Sequence, residues 1–225
     1  MGKSQSEKSR ILVVDDHPLF REGIQQMIDR CPTLKVCGEA ANNTEAMRAV
    51  EELSPDLVLV DLSLEGGDGI ELIKSLKAKH EDLPLLVISM HNEALYAERA
   101  LRAGALGYVM KNESARTVRS AIFKVLGGDV FLSDKMSVSV LTKVVGGKKD
   151  ELASPVEQLS DRELQVFQML GEGKSSRQIA EELSLTIPTI HSFRTRIKEK
   201  LGFQNATELV LHANQWVREH EGVDG

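Results

Sequence analysis

Along the first half of the chain, apolar residues come in short unbroken runs, separated by stretches in which they recur every three or four positions. The runs fall at residues 11–14, 34–37, 57–60, 84–88 and 107–110. Between and after them the pattern predicts helices near 18–30, 43–53, 69–79, 93–103 and 114–126. Unbroken Val, Leu and Ile without alternation marks strands covered on both faces. Five such strand–helix alternations predict an α/β fold: a parallel sheet with helices on both sides, joined by right-handed crossovers. In such sheets functional groups gather beyond the carboxyl ends of the strands.

The pattern then changes. Gly127-Gly128 closes the last of these helices, and Gly146-Gly147-Lys148-Lys149-Asp150 is a polar, glycine-bearing stretch of linker type. Residues 133–145, SDKMSVSVLTKVV, are expected to form a connecting helix despite their β-branched content. After Pro155 only the helical period remains, with helices near 160–171, 175–183, 187–200 and 205–217. Ser160 with Glu163, and Ser175 with Gln178, have the spacing of capping boxes ahead of apolar-periodic runs. The expected organisation is therefore a sheet domain at 10–127, a linker at 128–155 that is partly helical, and an all-α four-helix domain at 156–220.

The chain has 225 residues, 41% apolar and 28% charged, a composition of water-soluble globular proteins. No apolar stretch approaches the roughly 20 residues that span a bilayer. The polar start MGKSQSEKSR lacks the apolar core of a secretory signal, so no membrane partner and a cytoplasmic location are expected. Cys31 and Cys37 are too few for a zinc cluster or a disulfide framework, and their default is the reduced thiol. The net charge of −6 divides evenly: residues 1–146 carry 18 basic against 21 acidic side chains, and residues 147–225 carry 10 against 13. A nucleic-acid site must then be a local patch rather than a basic domain.

Asp15 and Asp16 follow the first strand in RILVVDDHPLF, and Asp61 ends the third in LVLVD. If those strands are neighbours, three carboxylates converge, and their repulsion needs a cation to offset it. An all-oxygen donor set suits magnesium or manganese. Ser89 ends the fourth strand and Lys111 follows the fifth, which adds a hydroxyl and an ammonium at the same edge. Carboxylates, metal, hydroxyl and lysine together suit the oxygens of a phosphoryl group, with one aspartate as nucleophile.

Residues 10–126 thereby resemble the receiver domain of two-component response regulators. The resemblance rests on the acidic pair after strand one, Asp61 after strand three, Ser89 after strand four, and Tyr108 and Lys111 around strand five. It implies a flavodoxin-like sheet, Asp61 as phosphoacceptor, and magnesium held by Asp15, Asp16, Asp61 and the Ser63 backbone carbonyl. It also implies a switch pair, Ser89 and Tyr108, with Lys111 binding a phosphoryl oxygen, and a sensor histidine kinase as phosphodonor. One departure stands out: the family often has Met-Pro where this chain has Leu64-Glu65, so the loop after Asp61 lacks proline's stiffening and is expected to be more mobile.

Within residues 175–201, the second of two short helices gathers Ile190, Phe193, Ile197 and Leu201 on one face. Pro188, Ser192, Thr195 and Glu199 centre the opposite face, and Arg194, Arg196, Lys198 and Lys200 rim it. Small polar groups between rim cations fit a helix that reads base edges while its cations meet phosphates, although any solvated helix shows charge outside. Residues 159–217 resemble a LuxR-type helix-turn-helix of the NarL/FixJ subfamily, carried by LSDRE, GKSSRQIAEEL, TIPTI and RIKEKLG. That resemblance implies double-stranded DNA as partner, homodimers on DNA, His191, Ser192 and Thr195 facing bases, and Arg194, Arg196 and Lys200 at phosphates. His191 stands where the family often has Lys, which weakens the electrostatic contribution, and Phe193 where it often has His, so Phe193 is expected to be partly core.

The leading expectation is a phosphorylation-controlled, DNA-binding transcriptional regulator and not an enzyme. Two rivals remain open on the residues alone. In one, the helical tail mediates protein interaction instead of DNA binding, as its acidic charge would suit. In the other, the sheet domain is a magnesium phosphohydrolase with an aspartyl nucleophile. Such enzymes need an acid two residues after the nucleophile, where this chain has Ser63.

Overall fold

The computed structural model describes residues 8–64, 67–138 and 155–221. The chain divides into two compact units, Met1–Gly147 and Lys148–Gly225.

In the first unit the strands and helices alternate as β1 (Ser9–Val14), α1 (Pro18–Asp29), β2 (Leu34–Ala40), α2 (Asn43–Leu53), β3 (Leu57–Val60), α3 (Gly69–Lys79), β4 (Leu85–Ser89), α4 (Glu93–Ala103), β5 (Gly107–Met110) and α5 (Ala115–Leu126). All five strands are parallel, in the order β2-β1-β3-β4-β5. The chain moves outward from β1 to β2, then crosses β1 to lay down β3 on its other side. The ends of β1 and β3 therefore flank a point where the strand order reverses, the usual place for a ligand crevice.

The central strands are the most apolar because helices cover both their faces. Ile11–Val14, Leu57–Val60 and Leu85–Ile88 are all buried. Below the sheet, Ile24, Met27 and Ile28 of α1 and Val118, Ala121, Ile122 and Val125 of α5 pack on Ile11, Val13, Leu57 and Leu59. Burying one such side chain contributes about 1.5–3 kcal/mol. Helix starts are set by side chains that accept from otherwise unpaired backbone amides: Asn42 for α2, Asp68 for α3, Asn92 for α4 and Ser114 for α5.

Strand β2 runs to Ala40, beyond the expected end at 37, because this edge strand is only half buried past Leu34 and carries no unbroken apolar signal. A two-residue hairpin, Ser63–Leu64 against Gly67–Asp68, follows β3. Leu64 is buried within it, so the loop expected to be loose has an apolar anchor; Glu65 lies outside the described residues. The helix expected over 133–145 begins after Ser133 and is seen for residues 134–138. The rest of it, and most of the expected linker, lie outside the described residues.

The second unit is helical: a short 3-10 turn at Pro155–Gln158, then α6 (Asp161–Gly171), α7 (Ser176–Glu182), α8 (Ile187–Leu201) and α9 (Ala206–Glu221). Both capping boxes form, Ser160 with Glu163 and Ser175 with Gln178. Phe167 of α6 meets Trp216 of α9 edge-on at 5.6 Å. Ile190 and Ile197 turn the inner face of α8 into the core, with Phe193 half-buried beside them.

Candidate functional site

Register brings the acids together. Val14 pairs with Val60, and the Asp61 amide donates to the Val14 carbonyl at 2.9 Å. The next residues, Asp15 and Asp61, therefore emerge side by side, both buried. On the far side of β3, Ser89 pairs with Met110, and the Lys111 amide donates to the Ser89 carbonyl at 2.8 Å. That aims Lys111 back over the sheet end. Its ammonium lies 2.6 Å from Asp15 Oδ2 and 2.7 Å from Asp61 Oδ2.

Five more side chains complete the surroundings. Phe20 of α1 places its ring under the Lys111 ammonium, 4.5 Å from centroid to nitrogen. Arg21 donates to the Asp15 carbonyl at 2.6 Å and pairs with Glu39 at 2.7 Å, which fixes α1 against β1 and β2. The His17 amide donates to Asp15 Oδ1 at 2.8 Å, and His17 Nδ1 lies 2.6 Å from Asp16 Oδ1. Asp16 is half-buried at the rim. His91 places Nε2 2.9 Å from Ser63 Oγ and stacks on Tyr96 at 4.6 Å.

Ser89 is buried, and its hydroxyl accepts from the His91 amide at 3.3 Å. Tyr108 is turned inward and buried, donating its hydroxyl to the His91 carbonyl at 2.7 Å. Helix α3 can begin directly beneath Asp61 because residue 69 is glycine. A Cβ there would collide with the Asp61 carbonyl oxygen and stand 2.6 Å from Leu62 Cα.

Electrostatics follow from burial. Loss of water pushes the Asp61 carboxyl up from its usual range, and the charge and hydrogen bond of Lys111 only partly oppose this. For Lys111 burial acts downward, yet Asp61 and Asp15 together raise its pKa. Burial also raises Tyr108 well above the usual phenol value, so it stays a neutral donor. Among the described residues Asp61 Oδ1 is buried with no well-formed hydrogen bond. Asp15, Asp16, His17 and Asp61 each offer a ligand atom, all within 4.8 Å of one another. A buried carboxylate oxygen without a partner among the described residues, beside the carboxylates of Asp15 and Asp16, fits a small divalent cation such as magnesium.

The structure thus brings Asp15, Asp16, Asp61, Ser89, Tyr108 and Lys111 to one sheet end. Phe20, Arg21, His17 and His91 carried no separate signal in the sequence. Phe20 has the period of an ordinary core position, and nothing local marks a ring that faces an ammonium ninety residues on.

Residues 11–123 match the response regulator receiver domain, and residues 157–213 match the luxR family of bacterial regulatory proteins. This chain belongs to the response regulators. The transcriptional regulatory protein LiaR of Bacillus subtilis is 34% identical, over 92% of this chain and 97% of its own. Response regulator UvrY of Escherichia coli is 31% identical, over 88% and 90%. A solved structure of the response regulator RcsB from Salmonella typhimurium covers 93% of this response regulator with a TM-score of 0.64 at 26% identity. Another, of RcsB bound to promoter rprA in the presence of the phosphomimetic beryllofluoride, covers 92% with a TM-score of 0.60 at 25% identity. In both RcsB structures nearly the whole of the solved chain, 98% and 99%, is matched. Receiver and LuxR-type domain together make this response regulator a DNA-binding transcriptional regulator.

Its helical unit presents α8 outward. His191, Ser192, Thr195 and Arg196 are exposed. Ser192 and Thr195 donate back to the Pro188 and His191 carbonyls at 3.0 and 3.1 Å. The Arg196 guanidinium sits 4.8 Å from the Phe193 ring centroid. Two of the expected phosphate contacts are engaged inside the unit: Arg194 donates to Ser176 Oγ at 2.7 Å, and Lys200 lies 2.6 Å from Glu163 Oε2. His191, Arg194, Thr195 and Lys198 also line a depression of about 290 Å³ against Ala206 and Leu209 of α9. Among the described residues no helix is long and apolar enough to cross a membrane.

Proposed function

We propose that Asp61 accepts a phosphoryl group from the phosphohistidine of a sensor kinase, and that this modification controls DNA binding by the helical unit in the cytoplasm. The observation that carries this reading is the triangle of Asp15, Asp61 and Lys111 at the strand-order reversal, with Asp61 Oδ1 buried and without a hydrogen-bond partner among the described residues. An Asp61 carboxylate oxygen attacks phosphorus, the P–N bond breaks, and the imidazole leaves with its electron pair and takes up a proton. The product is an acyl phosphate carrying about two negative charges. Lys111, already at Asp61 Oδ2, pairs with one phosphoryl oxygen. Ser89 exchanges the His91 amide for another.

Asp15, Asp16, Asp61 and the Ser63 carbonyl would hold magnesium, or manganese, which when bound offsets the charge of the acids and the incoming phosphoryl group. His91 and Tyr108 line the path by which this local change reaches α4 and β5. On the DNA side, His191, Ser192 and Thr195 face base edges of the duplex and Arg196 meets phosphate, with Arg194 and Lys200 bracing α8 from within, and a homodimer binds two half-sites.

The test is acid-labile phosphate uptake from a small phosphodonor in magnesium. Wild-type protein should take up one phosphate; Asp61→Asn and chelator-treated wild type should take up none. Uptake by Asp61→Asn with wild-type stoichiometry would disprove the site. Selection of genomic duplexes with and without beryllofluoride identifies the operator and reads the gain in affinity.

A further inference from the structure

In the sheet order β5 is an edge strand, and an open edge is a row of unpaired backbone groups. Here the chain itself closes it. After α5, Phe131 forms a parallel bridge to Gly107. The Phe131 amide donates to the Leu106 carbonyl at 2.9 Å, and its carbonyl accepts from the Tyr108 amide at 2.9 Å. The ring packs on the core cluster, and Lys124 of α5 lies over it at 5.6 Å. Two residues on, the Ser133 amide donates to Glu93 Oε1, in the first turn of α4, at 2.9 Å. Ser133 also starts the next helical turn: its hydroxyl accepts from the Met136 amide at 3.2 Å and its carbonyl from the Ser137 amide at 2.9 Å. Met136 is buried, which holds that turn down.

Gly107 shows that this close approach is specified. A Cβ at residue 107 would lie 2.8 Å from the Phe131 carbonyl oxygen and 3.1 Å from Phe131 Cβ. Any other residue would push the segment off the edge.

One attachment point is a member of the switch pair, and the other lies just beyond the turn that the second member engages. Tyr108, whose amide holds Phe131, is the inward-turned aromatic whose hydroxyl holds the His91 carbonyl. Glu93, which holds Ser133, starts α4 immediately after the turn in which the His91 amide engages Ser89. When Ser89 leaves His91 for a phosphoryl oxygen, the 90–93 turn must shift, and Glu93 moves with it.

We propose that residues 129–133 are a strap across the edge of β5, pinned by Tyr108 and Glu93, and that phosphorylation of Asp61 reaches the linker by loosening it. Glu93 is a positioning residue in this scheme: it touches neither phosphate nor metal. The strap rests on the phosphorylation reading above, but its attachment is testable without it. At the Glu93 end the attachment is a single exposed hydrogen bond to a carboxylate, which is modest, so that end of the strap is releasable by a switch of ordinary size.

Hydrogen exchange on the full chain tests both steps. In unmodified protein, Glu93→Ala should speed exchange across residues 129–138 by about threefold or more, because the opening that exposes these amides becomes easier. Glu93→Gln keeps the acceptor and should match wild type, while Gly107→Ala should reproduce Glu93→Ala from the other end. No acceleration in Glu93→Ala and Gly107→Ala overturns the pinning. In wild type with magnesium and beryllofluoride, residues 89–93 and 129–138 should respond together. A response confined to 89–93 overturns the strap and leaves the proposed function standing. No response in either segment overturns the phosphorylation reading and the release step with it. Finally, Glu93→Ala should raise the DNA affinity of unmodified protein about threefold and leave the beryllofluoride-bound affinity unchanged. An unchanged affinity gap overturns transmission through this segment.

Discussion

The Lys111 ammonium lies 2.7 Å from Asp61 Oδ2, with both side chains almost wholly withdrawn from water. It also serves Asp15, so one cation faces two buried anions. Before any ligand binds, the site is short of positive charge. Burial therefore wins at Asp61, whose carboxyl remains raised despite its lysine.

Asp61→Asn should consequently stabilise the receiver unit by about 1 kcal/mol at neutral pH without divalent cation, because it removes a buried charge and keeps the shape. The sign is set by the raised pKa. The folded state binds the Asp61 proton more tightly than the unfolded one. The contribution is then fully present below the usual carboxylate range and lost as pH rises through the raised value. The stability difference between wild type and Asp61→Asn, read from urea midpoints, should widen across that interval. Magnesium should stabilise wild type by mass action and the Asn variant far less.

Lys111→Ala should do the opposite. It leaves Asp15 and Asp61 facing each other without a cation, a loss of about 3 kcal/mol or more. Magnesium should recover part of this in denaturant titrations, since it meets the same two carboxylates. An alanine variant as stable as wild type in chelator would mean that the Lys111 ion pairs contribute nothing to stability.

The acids, Ser89 and Lys111 were legible in the sequence because each ends or follows an unbroken apolar run, and parallel strands deliver such residues to one edge; Tyr108, inside the fifth run, stood out only through the family resemblance. Their second neighbours were not legible. Phe20 and Arg21 sit in a helix whose period says only that one face is inward, and whether that face meets a hydrocarbon or an ammonium depends on strand order. The hairpin at Ser63–Leu64 is too short to show a period, and the edge strap reads as a loop because a single bridge at Phe131 leaves no alternation. In the helical unit, capping-box spacing located two helix starts within a residue, since that signal is local. Ion pairing of Lys200 across helices has no local signature.

Glu163 does two things: its carboxylate accepts from the Ser160 amide at 2.8 Å, and it pairs with Lys200. Burial pushes this carboxyl up, but Lys200 and the Ser160 amide outweigh it and hold the pKa below its usual value. Glu163→Ala should cost the helical unit about 2 kcal/mol; Glu163→Gln, which keeps the cap acceptor, should cost about 1 kcal/mol. A depressed carboxylate contributes above its unfolded pKa and loses that contribution as pH falls through the folded value. Thermal midpoints of wild type and Glu163→Gln should therefore converge below the usual carboxylate range.

Lys200 and Arg196 lie one helical turn apart on α8 and should behave differently on DNA. Arg196 is exposed, lies against the face of Phe193, and can turn to a phosphate without leaving a buried charge behind. Lys200 is tied to a carboxylate whose side chain is 3% exposed, and moving the lysine to a phosphate would leave that charge buried alone. Each phosphate neutralised by a cation adds about 0.9 to the slope of log affinity against log salt. Arg196→Ala should lower that slope by about one unit and weaken binding similarly across duplex sequences. Lys200→Ala should leave the slope nearly unchanged and instead lower the stability of the helical unit by about 1–2 kcal/mol, in line with breaking a largely buried pair from its exposed end. Salt titrations of the beryllofluoride-bound full chain on one operator duplex separate the two. Equal loss of slope in both variants would mean that Lys200 leaves Glu163 when DNA binds, and that the brace seen here is released at the interface.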